Sequence, residues 1–387
     1  MTFHRAATRL AAAIFLAWST AIPAGAEPLE TRAPQAFMVD AETGTILFAK
    51  NADKPFPPAS LAKLMTMELT FQAIEAGRYT LDDTFVVSEN AWRKGGAPSG
   101  GSTMFAALKS KIRLGDLIQG VVVQSANDGC IVIAEGIAGS EENFAAMMTE
   151  RARALGLDTT VLKNSTGLPA EGQVMTAREL TQLAVHIWRE YPEFYKYYAQ
   201  REFTWNKITQ RNRNPLLALD IGADGMKTGF TEESGYAIVG SVSRNGRRVF
   251  ATLSGMTSAR ERAEEARKLL DWGITGFERS EIFAGDEVIG QAQVYGGARP
   301  SVALKAQGPI AFLVPTASRD KVTARIVYEG PLVAPVAPGT KVGSLKVWVG
   351  DSLTQETPLY TAEAVGVGPL HSRALDAIGE LLVGWLR

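Results

Sequence analysis

Pro57-Pro58-Ala59-Ser60-Leu61-Ala62-Lys63-Leu64-Met65-Thr66 is the stretch from which the rest of the chain can be read. The two prolines suit an extended approach, small residues follow, and Leu61, Leu64, Met65, Glu68, Leu69 and Phe71 continue at helical spacing. Positions i and i+3 share a helix face, so the Ser60 hydroxyl and the Lys63 amine are expected to meet in one cleft. That pairing supplies a nucleophile and a base within a single turn. Alone, it is equally the pattern of a capped surface helix, so the reading depends on what else converges on it.

The supply of other bases is small. The 387 residues contain 3 histidines. His4 falls in a leader, His371 lies near the terminus, and His186 sits in an amphipathic helix pattern without an accompanying motif. If the chain is a serine enzyme, its base is expected to be lysine rather than histidine. The single cysteine, Cys130, excludes an intrachain disulfide and a cysteine-rich metal site, and its apolar setting reads as a small buried hydrophobe. No metal-ligand spacing or cofactor motif appears. The glycine-rich stretch 94–102 reads as a flexible loop; no Gly-Lys-Ser/Thr follows it, which argues against a phosphate cradle.

The first 26 residues have the form of a secretory leader. His4, Arg5 and Arg9 form a basic start, Leu10 to Ile22 is apolar apart from Ser19 and Thr20, and Ala24-Gly25-Ala26 offers a small-x-small cleavage site. Without Arg5 and Arg9, 38 basic side chains stand against 41 acidic ones, a near-neutral balance that gives no support to nucleic-acid binding.

Gln35 to Lys50 reads as a hairpin turning at Ala41-Glu42-Thr43-Gly44, followed by the Ser60 helix. Helical patterns cover roughly 114–138, 141–155 and 176–190, the last opened by a Thr176 cap. Two strands, Gly235 to Val242 and Arg248 to Leu253, flank the turn Arg244-Asn245-Gly246, and a helix runs from Glu261 to Trp272. This order predicts an α+β domain over 27–278: an antiparallel sheet with packed helices and a helical insertion. From about Glu281, short β runs alternate with Gly- and Pro-bearing turns, predicting a small all-β sandwich over 279–367. Over 368–387, Ala374, Leu375, Ile378, Leu381, Leu382, Trp385 and Leu386 share one helical arc, the form of an amphipathic helix lying in a membrane interface.

Two further motifs complete the pattern. Ser125-Ala126-Asn127 offers a hydroxyl and an amide after an apolar run, and Lys227-Thr228-Gly229 offers a cation, a hydroxyl and a close-approach glycine before Phe230. Ser125 follows Lys63 by 62 residues and Lys227 follows Asn127 by 100. Ser-x-x-Lys, Ser-x-Asn and Lys-Thr-Gly in this order form the set shared by active-site serine penicillin-binding proteins and class A β-lactamases. Together with Ser88 to Trp92, Ser125 to Cys130, Asn212-Arg213-Asn214 and Asp224 to Gly229, they make the chain resemble a low-molecular-mass penicillin-binding protein. The type is that of penicillin-binding protein 5, a D-alanyl-D-alanine carboxypeptidase of peptidase family S11.

The resemblance implies a serine β-lactamase/transpeptidase-like catalytic domain and removal of the terminal D-alanine from peptidoglycan pentapeptide stems, in cell-wall biogenesis. It implies β-lactams as inhibitors, no cofactor, and a periplasmic protein attached peripherally to the inner membrane. Ser60 is then the nucleophile, Lys63 the base, Ser125 a proton relay, and Asn127 a group orienting Lys63 and the substrate amide. Lys63 must be neutral to act, with burial and a second cation such as Lys227 expected to lower its pKa. Lys227, Thr228 and Gly229 receive the substrate carboxylate, aided by Arg213 or Arg262. The N–H groups of Ser60 and Phe230 form the oxyanion hole. Relatives carry histidine where Phe230 stands. The alternatives are a class A-like β-lactamase, for which Glu171 is present without the expected spacing to an asparagine, and a non-catalytic peptidoglycan-binding scaffold.

Overall fold

The structure, a computed structural model, describes residues 29–316, 322–370 and 373. The expected leader lies outside these residues, as does nearly all of the expected terminal helix.

A hairpin, β1 (Gln35–Asp40) and β2 (Ile46–Lys50), leads through a 3-10 turn at Ala59–Ala62 into α1 (Lys63–Glu75). The inserted region then runs β3 (Thr84–Val86), α2 (Glu89–Gly95), β4 (Lys111–Arg113), α3 (Leu114–Gln124), α4 (Asn127–Ala138), α5 (Glu141–Ala154), α6 (Ala177–Glu190) and α7 (Pro192–Tyr195). A second small hairpin, β5 (Glu202–Trp205) and β6 (Ile208–Arg211), precedes β7 (Ala223–Thr231), β8 (Gly235–Arg244), β9 (Arg247–Met256) and α8 (Ala259–Thr275). The central sheet has the order β2-β1-β9-β8-β7, antiparallel throughout.

Period-2 alternation explains why both faces of this sheet are covered. On β8 and β9, Ala237, Val239 and Phe250 face the core shared with α1, α3, α4 and α6, while Ile238, Val242, Val249 and Ala251 face α8. The side chains from Lys63 to Phe71 are all buried, so this helix is enclosed on every side. Its one buried carboxylate, Glu68, is compensated by Arg151 at 2.8 Å, with His186 and Tyr191 within 3.3 Å.

Three local readings change. The pattern over 114–138 is two helices, because Ser125 takes a left-handed conformation (φ 60°) between α3 and α4. Within 94–102, Lys94 and Gly95 close α2 and Ala97–Ser99 form a 3-10 turn, so only part of the stretch is loop. The third motif lies in a strand, β7, that its sequence does not announce: Gly225, Gly229 and Lys227 are weak strand formers, and pairing with β8 overrides them.

The C-terminal region begins with β10 (Phe277–Phe283), directly after α8, and continues through β11 (Gly290–Tyr295), β12 (Ser301–Lys305), β13 (Ile310–Pro315), β14 (Val322–Tyr328), β15 (Leu332–Val333), β16 (Lys341–Val349) and β17 (Ser352–Thr361). Strands β10 and β13 pair with each other, and the other six form a sheet of order β14-β16-β17-β12-β11-β15 around a separate core. This region meets the catalytic one at the β1–β2 turn, where Thr45 Oγ1 donates to Gln355 Oε1 at 2.7 Å and accepts from Leu313 N at 3.3 Å.

Candidate active site

The Ser60 turn is held by close backbone approaches. Ala59 has φ 48°, and a Cβ on Gly167 would lie 1.8 Å from its carbonyl oxygen; Gly167 itself has φ +76°. Only glycine satisfies both demands there. On the other side, a Cβ on Gly229 would come 3.2 Å from Ala59 Cβ and 3.3 Å from Pro58 O, so the glycine of the third motif lets β7 lie against the turn.

Lys63 Nζ stands 2.8 Å from Ser60 Oγ and donates to the Thr166 carbonyl at 2.5 Å. The lysine is 1% exposed. Burial lowers its pKa to about 8, with the nearby Arg213 cation adding to the fall and Asp128 and Glu141 opposing it. The two lysines repel each other's positive charge, and burial first, then Lys63, hold Lys227 well below the ordinary lysine range.

Ser125 owes its orientation to its left-handed backbone at the end of α3, and its Oγ accepts from Lys227 Nζ at 2.9 Å. The first motif is therefore paired within itself, and the second is paired to the third. Asn127 is fixed through its backbone, whose N–H donates to Ser102 O at 2.8 Å, while its buried Oδ1 has no hydrogen-bond partner among the described residues. No hydrogen bond joins it to Lys63 there, so orientation of the base falls to Thr166. Asp128 binds the adjoining loop through Thr103 Oγ1 and the N–H groups of Met104 and Ala106.

Arg213 donates through Nε to Gln124 O at 2.9 Å, at the end of α3. Arg262, near the start of α8, lies over the Tyr236 ring at 5.6 Å. Phe230 is 49% exposed. Cys130 is buried, and burial pushes its thiol up to about 12, leaving an inert SH group. Glu171 is exposed on the wall of a cleft of about 510 Å³ that also includes Ala59, Gly167 and Thr231. Where a glutamate-activated water would require a carboxylate against Ser60 and Lys63, the backbone carbonyl of Thr166 is found.

Sequence reasoning missed the part played by the segment Asn164 to Pro169. Asn164 Oδ1 accepts from the N–H groups of Thr166 and Gly167, Glu141 Oε1 accepts from Ser165 Oγ at 2.8 Å, and Thr66 Oγ1 donates to Ser165 O. These bonds present the Thr166 carbonyl to Lys63. The Asn-Ser-Thr-Gly composition was the available signal, and its target was invisible without the fold.

The chain matches the family described as D-alanyl-D-alanine carboxypeptidase over residues 22–257. The chain belongs to that family. A second match, to the C-terminal domain of penicillin-binding protein 5, covers residues 277–367. D-alanyl-D-alanine carboxypeptidase DacD of Escherichia coli (strain K12) is 36% identical over 358 residues, 92% of each chain. Penicillin-binding protein 5 from Haemophilus influenzae superimposes with a TM-score of 0.76 at 33% identity, covering 88% of this chain and 100% of that one. Penicillin-Binding Protein D2 from Listeria monocytogenes, solved in the ampicillin-bound form, covers 64% of this chain and 100% of its own at 28% identity, with a TM-score of 0.56. This D-alanyl-D-alanine carboxypeptidase family member is a serine peptidase with the penicillin-binding protein 5 fold: a catalytic α+β domain followed by a β-sandwich domain.

Proposed function

We propose that the protein removes the C-terminal D-alanine from peptidoglycan pentapeptide stems through an acyl-enzyme on Ser60, and that β-lactams acylate the same serine. The observation that carries this reading is the enclosed pair of Ser60 and Lys63, with an amine whose pKa is lowered to about 8 beside a hydroxyl at 2.8 Å. A neutral Lys63 takes the Ser60 proton as Oγ attacks the carbonyl of the penultimate D-alanine. The N–H groups of Ser60 and Phe230 receive the oxyanion; β7 is an edge strand, which leaves outward N–H groups for a ligand. Ser125 relays the proton taken up by Lys63 to the departing D-alanine amine, and water then cleaves the ester, giving the free acid and returning a proton to Ser60 Oγ. Lys227 and Thr228 hold the terminal carboxylate, whose negative charge favours the charged form of Lys227. Arg262 and Arg213 add positive potential.

Labelling with a fluorescent penicillin tests the nucleophile: wild type is expected to label and Ser60→Ala to fail. Equal labelling would remove Ser60 from the role. Release of D-alanine from a pentapeptide, measured beside penicillin turnover, separates the carboxypeptidase from a lactamase. The leader pattern and the amphipathic tail support a periplasmic location with peripheral attachment to the inner membrane.

A further inference from the structure

Arg262 is a largely enclosed cation with no anion of its own among the described residues. Its Nε is buried without a hydrogen-bond partner, and among the described residues no ion pair engages its guanidinium. The neighbouring Glu261 is turned away, accepting from Thr257 N at 2.8 Å and from Thr257 Oγ1 at 2.6 Å. An arginine side chain that lacks a carboxylate partner carries about 2 kcal/mol of rotamer entropy, so something else must hold it in one place.

The aromatic side chains do this. The Arg262 guanidinium lies 5.6 Å from the Tyr236 ring centre, within cation–π range. Tyr236 in turn packs on Phe230, with ring centres 4.2 Å apart and planes inclined by 33°. Phe230 and Tyr236 are direct cross-strand partners on β7 and β8, the arrangement in which aromatic pairs interact most strongly. Strand alternation connects this pair to the site. Gly229 faces the Ser60 turn, whereas Thr228 and Phe230 face the opposite side, where Tyr236 packs against the α8 core. The hydroxyl proposed to receive the substrate carboxylate thus shares a face of β7 with the aromatic pair and lies one alternation from it.

We propose that Tyr236, stacked on Phe230, is a positioning residue that holds Arg262 toward the substrate carboxylate. The Phe230 side chain thereby gains a role separate from that of its N–H group. This inference rests on the reading that Arg262 serves the carboxylate, and the experiment separates the two.

The second-order rate of acylation is measured for a penicillin and for its methyl ester, and their ratio reports carboxylate recognition. The ester rate serves as an internal control for a correctly folded site. Tyr236→Leu is expected to lower the acid-to-ester ratio about five-fold, Tyr236→Phe to keep it near wild type, and Phe230→Leu to lower it partway. In an Arg262→Ala background, Tyr236→Leu is expected to add nothing, because the ring acts only through that cation. A Tyr236→Leu ratio equal to wild type, alongside a lowered ratio in Arg262→Ala, would overturn the positioning role. An unchanged ratio in Arg262→Ala would remove Arg262 from the carboxylate site and the inference with it. Should Tyr236→Leu fail to fold, Phe230→Leu at its half-exposed position decides: an unchanged ratio there refutes the stack.

Discussion

Lys63 Nζ donates to the carbonyl oxygen of Thr166 at 2.5 Å, across 103 positions of sequence. The bond aims the amine at Ser60 through a neutral dipole. A carboxylate in that place would favour the charged amine and oppose its use as a base. With a carbonyl there, burial can still draw the Lys63 pKa down to about 8.

Acylation by a penicillin is therefore expected to rise with pH through about 8, as Lys63 loses its proton. Arg213→Gln removes a cation that disfavours the charged amine, so the rising limb should move upward by about half a pH unit. A pH–rate profile checks this, and an unmoved limb would exclude Arg213 from tuning the base. The same shift bears on stability with a definite sign. Because the folded pKa lies below the ordinary lysine value of 10.5, the cost of holding a charged lysine is full below about pH 8 and fades toward 10.5. Wild type should gain melting temperature relative to Lys63→Met across that window.

Gly167→Ala is expected to cost at least about 3 kcal/mol and to abolish penicillin labelling, since its Cβ would overlap the Ala59 carbonyl beside the nucleophile. Gly44→Ala is the control. Gly44 has a similar φ of +72° but open space around it, so about 1 kcal/mol and full labelling are expected. Urea unfolding of both variants gives the comparison; equal costs would mean that the close approach at Gly167 is unimportant.

Arg151→Met leaves Glu68 buried beside only His186 and Tyr191, and should destabilise by about 3 kcal/mol. The double variant Glu68→Leu/Arg151→Met should recover part of that loss, because no stranded carboxylate remains. The Glu68 pKa lies below its ordinary value of 4.5 through its bonds to His186 and Arg151, which outweigh burial. Its contribution is thus present above about pH 4.5 and lost as pH falls through the folded value. Denaturation midpoints of the single and double variants at neutral and acid pH measure both effects.

Truncation before Leu370 should move the protein from the membrane fraction to the soluble periplasmic fraction, following from the apolar arc of the tail. Fractionation with immunodetection reads the outcome, and an unchanged membrane fraction would refute the anchor.

Much of the fold was legible where a local pattern coincided with its final environment. The β1–β2 hairpin, α6 with its Thr176 cap, and the β8–β9 pair are examples: their periodicity and turn chemistry already match the faces they bury. Strand β7 was not legible, because its glycines serve close approach rather than strand propensity. The break at Ser125 was hidden inside an apolar run suited to one long helix. In both cases, tertiary packing overrode local preference.

By itself, the sequence determined which reactive groups exist and in what order: Ser60 three residues before Lys63, then Ser125-x-Asn127, then Lys227-Thr228-Gly229. It could do so because i to i+3 proximity is a property of one helical turn. Only the tertiary structure decided what surrounds those groups. It put the Thr166 carbonyl on Lys63, the Arg213 charge near it, Lys227 on Ser125, and Tyr236 under Arg262. Burial and charge act through neighbours distant in the chain, so the state of Lys63 becomes defined only when those neighbours are packed around it.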